Sequence, residues 1–238
     1  MRKFFLATSL ALIAFSSCKE DTTQYYVEPS DIATQNSYDN QAIEKFLSEN
    51  YLDDLGNIKA FSSTDTSDDN YTSLKNMNPL RLNSGVIVIK RDSVQPDPGT
   101  TIGESDILHF MVRAKGYLAY QVDNNVDFYS NPFTLDDTVD GSGVPLIDPQ
   151  YYYVPQTTLD NNPGKNRSYW QIEGLREGLQ HFKAFNQDAI APYNMQGVII
   201  VPSRAAFARD PHNSYGGYDW RNRTFIFNFQ VYKSVPRT

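Results

Sequence analysis

The sequence predicts an α+β domain in which an antiparallel sheet packs on one short helix. Three observations favour this class. Residues 196–201 form a β-branched run that stops at Pro202, which cannot donate to a ladder. Residues 223–232 alternate aromatic and polar side chains, as a half-buried strand does. Residues 174–185 place Leu175, Leu179 and Phe182 at helical spacing, which predicts a helix with one buried stripe.

The chain begins with a secretory signal pattern. Arg2 and Lys3 precede an apolar run over residues 4–15, and Ser17-Cys18 follows. A basic start, a short apolar run and small residues before the cut are typical of a signal peptide. We therefore expect a lipoprotein signal over residues 1–17 and lipidation of Cys18. An ordinary signal peptide with an incidental cysteine is the alternative.

Residues 18–39 lack an apolar period and are expected to form a flexible tether. Lys19-Glu20-Asp21 resembles the export tag of surface lipoproteins in Bacteroidetes-like bacteria, although a solvated linker is the alternative. Acyl chains on Cys18 would hold the protein to a membrane. The expected location is therefore the cell envelope, with a lipid anchor in the outer membrane. Cys18 is the only cysteine, so no thiol remains for a disulfide or a metal.

Residues 40–82 are expected to form an N-terminal helix followed by a loop. Ala42, Ile43, Phe46 and Leu47 fall at helical spacing, and Asp39 or Asn40 is available as the cap. Such an amphipathic helix must dock on another part of the protein. The stretch from residue 56 to residue 80 is rich in Ser, Thr, Asp and Asn, which is typical of a loop.

Residues 83–238 are expected to form the main domain. Strands are predicted at residues 85–90 and 106–114, and an insertion loop at residues 138–168. The insertion carries three consecutive tyrosines, Tyr151 to Tyr153. They could form a platform for a sugar or a peptide, or they could pack locally.

The composition excludes several function classes. The chain has 21 basic and 28 acidic residues, a net charge of −7, which becomes more negative once Arg2 and Lys3 are removed. Such a surface repels phosphate backbones, so nucleic acid is not an expected partner. His109, His181 and His212 lack metal-ligand spacing, and no metal or other cofactor is expected. Glu173 and Glu177 could mimic an acid/base pair, but a solvated helix face is the simpler interpretation.

Four segments resemble FKBP-type peptidyl-prolyl isomerases. Residues 171–178, Q-I-E-G-L-R-E-G, resemble the family's V-I-x-G-W-x-E-G motif, and residues 202–208, P-S-R-A-A-F-A, resemble P-x-x-x-A-Y-G. Residues 108–110 resemble V-x-Y, and residues 128–131 resemble F-D-S-S. The resemblance covers residues 84–234 apart from the insertion. It implies an antiparallel half-barrel wrapped around a short helix, with an aromatic groove between the two.

The resemblance also implies a set of site residues. Ile172 would offer its backbone N–H to a substrate carbonyl, and Leu175 would form the groove floor in place of an aromatic residue. Phe207 keeps the ring of the family's tyrosine without its hydroxyl, and the family's acidic residue is missing unless Asp127 serves. The catalytic walls would be Phe110, Phe128, Ile172, Leu175, Phe207 and Phe227, and the substrate contacts Phe133, Tyr218, Trp220 and Asp127.

Two function classes follow from the resemblance and its departures. Rotation about an X-Pro bond has a barrier of roughly 18–20 kcal/mol, because amide resonance is lost in the twisted state. A dry groove that grips the prolyl ring favours that state without a nucleophile or a metal. The first class is an isomerase acting on proline-containing segments of envelope or exported proteins. The second is a non-catalytic FKBP-like lipoprotein that binds a protein partner.

Overall fold

The computed structural model describes residues 26–214 and 217–237, so the expected signal peptide at residues 1–17 and Cys18 lie outside the described residues. The described helices are α1 Ile32–Glu49, α2 Gln156–Asp160 and α3 Glu173–Leu179. The strands are β1 Asn50–Leu52, β2 Ile58–Ala60, β3 Leu80–Arg81, β4 Ile87–Lys90, β5 Thr100–Thr101, β6 Ile107–Val122, β7 Asn125–Phe128, β8 Phe133–Asp137, β9 Leu146–Ile147, β10 Lys183–Ala184, β11 Gly197–Val201 and β12 Arg223–Val235.

One antiparallel sheet organises the described part of the chain. Its strands follow the order β3-β4-β11-β12-β6-β7, and β8 and β9 also pair with β6. The two long strands, β6 and β12, lie side by side and pair along nearly their whole length, with a register shift between Val231 and Lys233. Two small two-stranded sheets, β1-β2 and β5-β10, complete the strand pairing. The predicted α+β class is confirmed.

The sheet buries both of its faces. On one face, even-numbered residues of β6 and odd-numbered residues of β12 pack against α3 in the largest apolar cluster. On the other face, Ile43 and Leu47 of α1 cover Ile89, Ile200 and Ile226 in a second cluster. A sheet covered on both faces presents apolar side chains in both directions, which explains the unbroken burial of β11.

Helix α1 begins eight residues earlier than the sequence predicts, so the expected tether at residues 18–39 is wrong in its last part. Asp31, not Asp39 or Asn40, is the N-cap, and its Oδ1 accepts the Thr34 backbone N–H at 2.7 Å. Asp39 is instead fully buried. Its carboxylate accepts from the Ser203 backbone N–H at 3.0 Å and from the Ser203 hydroxyl at 2.5 Å. The helix is therefore bonded to the loop after β11.

The predicted strands and α3 are present with shifted ends. The strand predicted at residues 106–114 runs on to Val122, because residues 115–122 pair with β7, β8 and β12. The helix predicted at residues 174–185 ends at Leu179, and β10 follows. The insertion at residues 138–168 contains β9 and α2, and its residues Tyr151 and Tyr152 are buried in the cluster around α3.

Candidate functional site

Two glycines let α3 approach the sheet closely. A Cβ on Gly174 would lie 2.5 Å from Cγ1 of Val201, and one on Gly178 would lie 2.8 Å from Cγ2 of Ile199. Only a residue without a side chain fits such a contact. The approach places Leu175 in the buried cluster between helix and sheet, where the sequence predicts a groove floor.

The cluster around α3 gathers seven of the ten predicted site residues. Its aromatic members include Phe110 of β6, which lies 5.1 Å from Phe229, and Phe207, which follows β11 and lies 6.4 Å from Phe225. The predicted residues that the structure brings together here are Phe110, Phe133, Ile172, Leu175, Phe207, Trp220 and Phe227. Each is at most 8% exposed, so this is a filled core, not an open groove.

Tyr218 lies at the edge of this cluster. Its ring stacks on Phe133 with centroids 5.1 Å apart and planes 10° apart, while the residue stays 53% exposed. Phe133 in turn lies over Gly116, where a Cβ would approach the ring to 2.3 Å. Tyr218 therefore covers the outer side of Phe133 instead of lining an opening.

Phe128 and Asp127 do not join the other predicted site residues. The β6-β7 hairpin turns at Asp123 and Asn124, which both have positive φ and are residue types that tolerate it. That turn pairs Ala119 with Phe128. The Phe128 ring then lies on the α1 face, 5.0 Å from Tyr117 and 6.2 Å from Phe46, and Asp127 forms an ion pair with Lys45. The expectation that these two residues share the groove with the other eight is not met.

Residues 148–155, which we call the strap, occupy the place where the family resemblance would put a groove ligand. The Ile172 backbone N–H, expected to hold a substrate carbonyl, donates to the Tyr151 carbonyl oxygen at 2.8 Å. The Tyr151 ring lies 5.9 Å from Phe227 and is 4% exposed. Gln171 Nε2 donates to the Tyr152 carbonyl at 3.1 Å. The Tyr152 hydroxyl donates to the Gly103 carbonyl at 2.6 Å.

Trp220 fills the cluster from the other side. It is fully buried, with ring centroids 5.4 Å from Phe225 and 5.5 Å from Phe207. Its backbone N–H donates to Nε2 of His212 at 3.0 Å. Because Nε2 accepts, the proton of a neutral His212 ring is on Nδ1, which donates to the Asp210 carbonyl at 3.0 Å. These bonds fix the loop that carries Trp220.

One ionisable pair belongs to this region. The Tyr151 hydroxyl lies beside the Asp136 carboxyl without closing a hydrogen bond of normal geometry. Burial raises the pKa of Asp136, and the neighbouring hydroxyl offsets part of that effect. Burial also raises the pKa of Tyr151 well above its usual value, and the charge of Asp136 adds to the rise. A tyrosine hydroxyl at this place therefore remains protonated.

The larger clefts lie away from the cluster. A cleft of about 680 Å³ separates residues 27–30 from the end of β6, and one of about 510 Å³ lies beside α3. In the second cleft Glu173 pairs with Arg176 at 2.7 Å, and Glu177 accepts from the Ser84 hydroxyl at 2.5 Å. These partners favour the interpretation of the two glutamates as a helix face over an acid/base pair.

Sequence reasoning missed Tyr151, Tyr152 and Asp136 as residues of the site. The tyrosine run between Pro149 and Pro155 was the available signal, and it favoured local packing over a platform without indicating where the rings pack. No periodic pattern marks such a segment, because its burial depends on contacts with α3 and β12.

No protein-family model matches the chain, and no curated protein matches it significantly. Within residues 26–214 and 217–237, no three His, Cys, Asp or Glu side chains are placed to share a metal ion. In the same residues, no helix has the length and apolar character that a membrane crossing requires.

Proposed function

We propose that this chain is an FKBP-like lipoprotein that binds extended, proline-containing polypeptide segments and does not turn them over while its groove is closed. One observation carries the proposal. The Ile172 N–H, the donor expected to hold a substrate carbonyl, already donates to Tyr151 at 2.8 Å. A substrate has no access to that donor until the strap leaves.

The arrangement of sheet and helix supports an FKBP-like fold. An antiparallel sheet packs one face on the short helix α3, and residues of three of the four family-like motifs meet in that one cluster. Helix α1 on the opposite face and the insertion at residues 138–168 are additions to the arrangement that the resemblance implies. The three departures in the pocket, at Leu175, Phe207 and the missing acidic residue, weaken catalysis more than binding.

Prolyl isomerisation is the second candidate function. It is favoured by the convergence of Phe110, Phe207 and Phe227 around Leu175, since an apolar, water-free site favours the twisted amide. In this case the strap has to open during each turnover, and the opening equilibrium lowers the apparent rate.

The proposal includes a membrane anchor and an envelope location. A chain lipidated at Cys18 would be held at the outer membrane, where it would meet exported polypeptides. Metabolic labelling with a palmitate analogue tests this part. Wild-type protein should carry the label and partition with membranes, and Cys18→Ala should do neither. A labelled Cys18→Ala chain would overturn the anchor assignment.

A pair of assays separates the two candidate functions. Protein starting at Tyr26, which lacks Cys18, is tested for acceleration of prolyl isomerisation in a protease-coupled assay and for binding to a permanently unfolded, proline-containing polypeptide. The proposal expects binding without acceleration over the uncatalysed rate. Acceleration that is lost in Phe227→Leu, with the circular dichroism unchanged, would assign the isomerase function instead. Absence of both binding and acceleration would overturn the binding proposal.

A further inference from the structure

We infer that the strap is an intramolecular stand-in for the ligand, and that the groove takes an extended peptide whose tyrosine replaces Tyr151. This inference rests on the proposed binding function and deepens it by naming the ligand class. The contacts of the strap support it. Hydrogen bonds to backbone carbonyls hold the middle of the strap, whereas charged side chains contact its ends.

The middle of the strap is held in the way that a bound peptide is held. Two consecutive carbonyls, of Tyr151 and Tyr152, accept from the Ile172 backbone N–H and from Gln171 Nε2. Main-chain bonds of this kind supply affinity for any extended peptide, and side-chain pockets supply the choice between peptides. Ile172 and Gln171 could therefore donate the same hydrogen bonds to an extended peptide of a different sequence.

The side-chain environment of Tyr151 selects a tyrosine. Its ring packs near Phe227, and its hydroxyl lies beside the partly buried Asp136 carboxyl without a hydrogen bond of normal geometry. A phenylalanine would leave that carboxyl beside an apolar ring, and a proline has no aromatic ring to pack near Phe227. An aromatic ring with a polar tip matches both surroundings.

The ends of the strap contain the buried residues Pro149 and Val154 and also make polar contacts near the surface. Arg237 Nη1 donates to Asp148 Oδ2 at 2.9 Å, and the Arg237 guanidinium lies 4.3 Å from the Tyr153 ring. The Arg167 guanidinium lies 5.0 Å from the centroid of the same ring and donates to the Val154 carbonyl. Partly exposed ion pairs and cation–π contacts are weak individually. Loss of a few of them releases the ends and leaves the buried rings unchanged.

This arrangement predicts local opening of the strap below the free energy of global unfolding. Amide hydrogen exchange measures it directly, because the Ile172 N–H is bonded only to the strap, whereas Ile199 lies in the central strand β11. In the wild-type chain from Tyr26, Ile172 should be protected at least about tenfold less than Ile199. Equal protection at the two amides would mean that the strap leaves only on unfolding, and would overturn the inference.

Variants at the ends of the strap provide a second test of the inference. Arg237→Gln combined with Tyr153→Ala removes the ion pair to Asp148 and both cation–π contacts, and Arg221→Gln is the matched control, since Arg221 pairs with Asp219 away from the strap. The double variant should speed exchange at Ile172 by about tenfold or more without changing Ile199. The control should change neither amide. An exchange rate at Ile172 that is the same in the double variant and in the wild type would contradict the inference.

A peptide supplied in trans identifies the ligand. A labelled peptide with the sequence of residues 149–155, Pro-Gln-Tyr-Tyr-Tyr-Val-Pro, should bind the double variant more tightly than the control. The fold increase in affinity should equal the fold increase in the population with an open strap, which is measured by exchange of the Ile172 amide. The reason is that apparent affinity is proportional to the fraction of molecules that can bind the peptide. A peptide with alanine in place of the first tyrosine should not compete; equal competition would overturn the tyrosine assignment.

The outcomes of these experiments distinguish the two proposals. Suppose that the tyrosine peptide binds the double variant and that no proline-containing polypeptide binds the wild type. That result would contradict the proposed function and support the inference about the strap. Binding of the polypeptide to the wild type, with no effect of the strap variants, would support the proposed function and contradict the inference about the strap.

Discussion

The backbone N–H of Ile172 donates a 2.8 Å hydrogen bond to the carbonyl oxygen of Tyr151, 21 positions earlier in the chain. This bond joins the residue before α3 to a segment of the insertion. It uses the donor that the family resemblance assigns to a substrate, and it buries the Tyr151 side chain beside Phe227. The groove expected from the sequence is therefore occupied by the protein itself.

Replacing Tyr151 by alanine should destabilise the protein strongly. A buried aromatic residue truncated to alanine costs roughly 3–5 kcal/mol, because apolar contacts are lost and a cavity remains. Tyr151→Phe should change the free energy of unfolding by less than about 1 kcal/mol, since the lost hydroxyl makes no hydrogen bond of normal geometry. Urea denaturation measures both. A Tyr151→Ala cost no larger than that of the more exposed Tyr129→Ala would show that the strap is not packed as described.

Gly174→Ala should destabilise the protein although alanine is the better helix former. The gain in helix propensity is about 1 kcal/mol. The new Cβ would lie 2.5 Å from Val201 Cγ1 and 2.8 Å from the Ala205 carbonyl oxygen. Because the second neighbour is backbone, helix and sheet must separate, and we expect a net loss of about 1–3 kcal/mol in thermal or urea unfolding. The exposed Gln180→Ala is the control, with a change within about 0.5 kcal/mol. A stabilised Gly174→Ala protein would contradict the close approach of α3.

The N-terminal boundary of the fold can be tested by truncation. A chain that starts at Tyr26 keeps Gln35 and Asp39, whereas one that starts at Asn40 loses both residues. Asp39 accepts two hydrogen bonds from Ser203, so we expect the shorter chain to lose at least about 2 kcal/mol in urea unfolding. Equal stability of the two chains would mean that the residues before Asn40 do not contribute to the fold, as the predicted tether implies.

The sequence was sufficient to predict the elements whose burial follows a period. Alternation over residues 223–232 and the β-branched run before Pro202 correspond to β12 and β11, because both faces of this sheet are covered and apolar residues recur along the strands. The start of α1 was missed for the opposite reason. Its first turns bury Gln35 and Asp39, polar residues whose partners lie far away in sequence, on Ala119 and Ser203.

The site was predicted less well than the fold, and the reasons lie in particular residues. Phe128 carries a family-like motif, yet the turn at Asp123 and Asn124 fixes a register that turns its ring to the α1 face. The burial of Tyr151 depends on the Ile172 donor and on Phe227, which lie 21 and 76 positions further along the chain. Neither effect leaves a local pattern.

Asp39 should make stability depend on pH in a defined direction. Burial raises its pKa above the ordinary value of 3.8, against the opposing effects of the Ser203 and Gln35 hydrogen bonds and the Arg204 charge. The folded state thus holds this proton more tightly than the unfolded chain. The stability that Asp39 contributes is complete below pH 3.8 and is lost as the pH rises through the raised pKa.

Comparison with Asp39→Asn isolates this contribution. The free energy of unfolding of the wild type minus that of the variant should fall as the pH increases from about 3.8 toward neutrality. Urea titrations at several pH values give this difference directly. A difference that stays constant or grows with pH would show that Asp39 is not held in the buried environment described.

The contact between the Tyr151 and Phe227 rings gives the most direct test of the closed groove. In a chain from Tyr26 with labelled aromatic residues, nuclear Overhauser effects between these two rings report their distance in solution. Clear cross-peaks between the rings are expected, together with a protected Ile172 amide. A Tyr151 ring without contacts to Phe227, beside an Ile172 amide that exchanges at the unprotected rate, would contradict it.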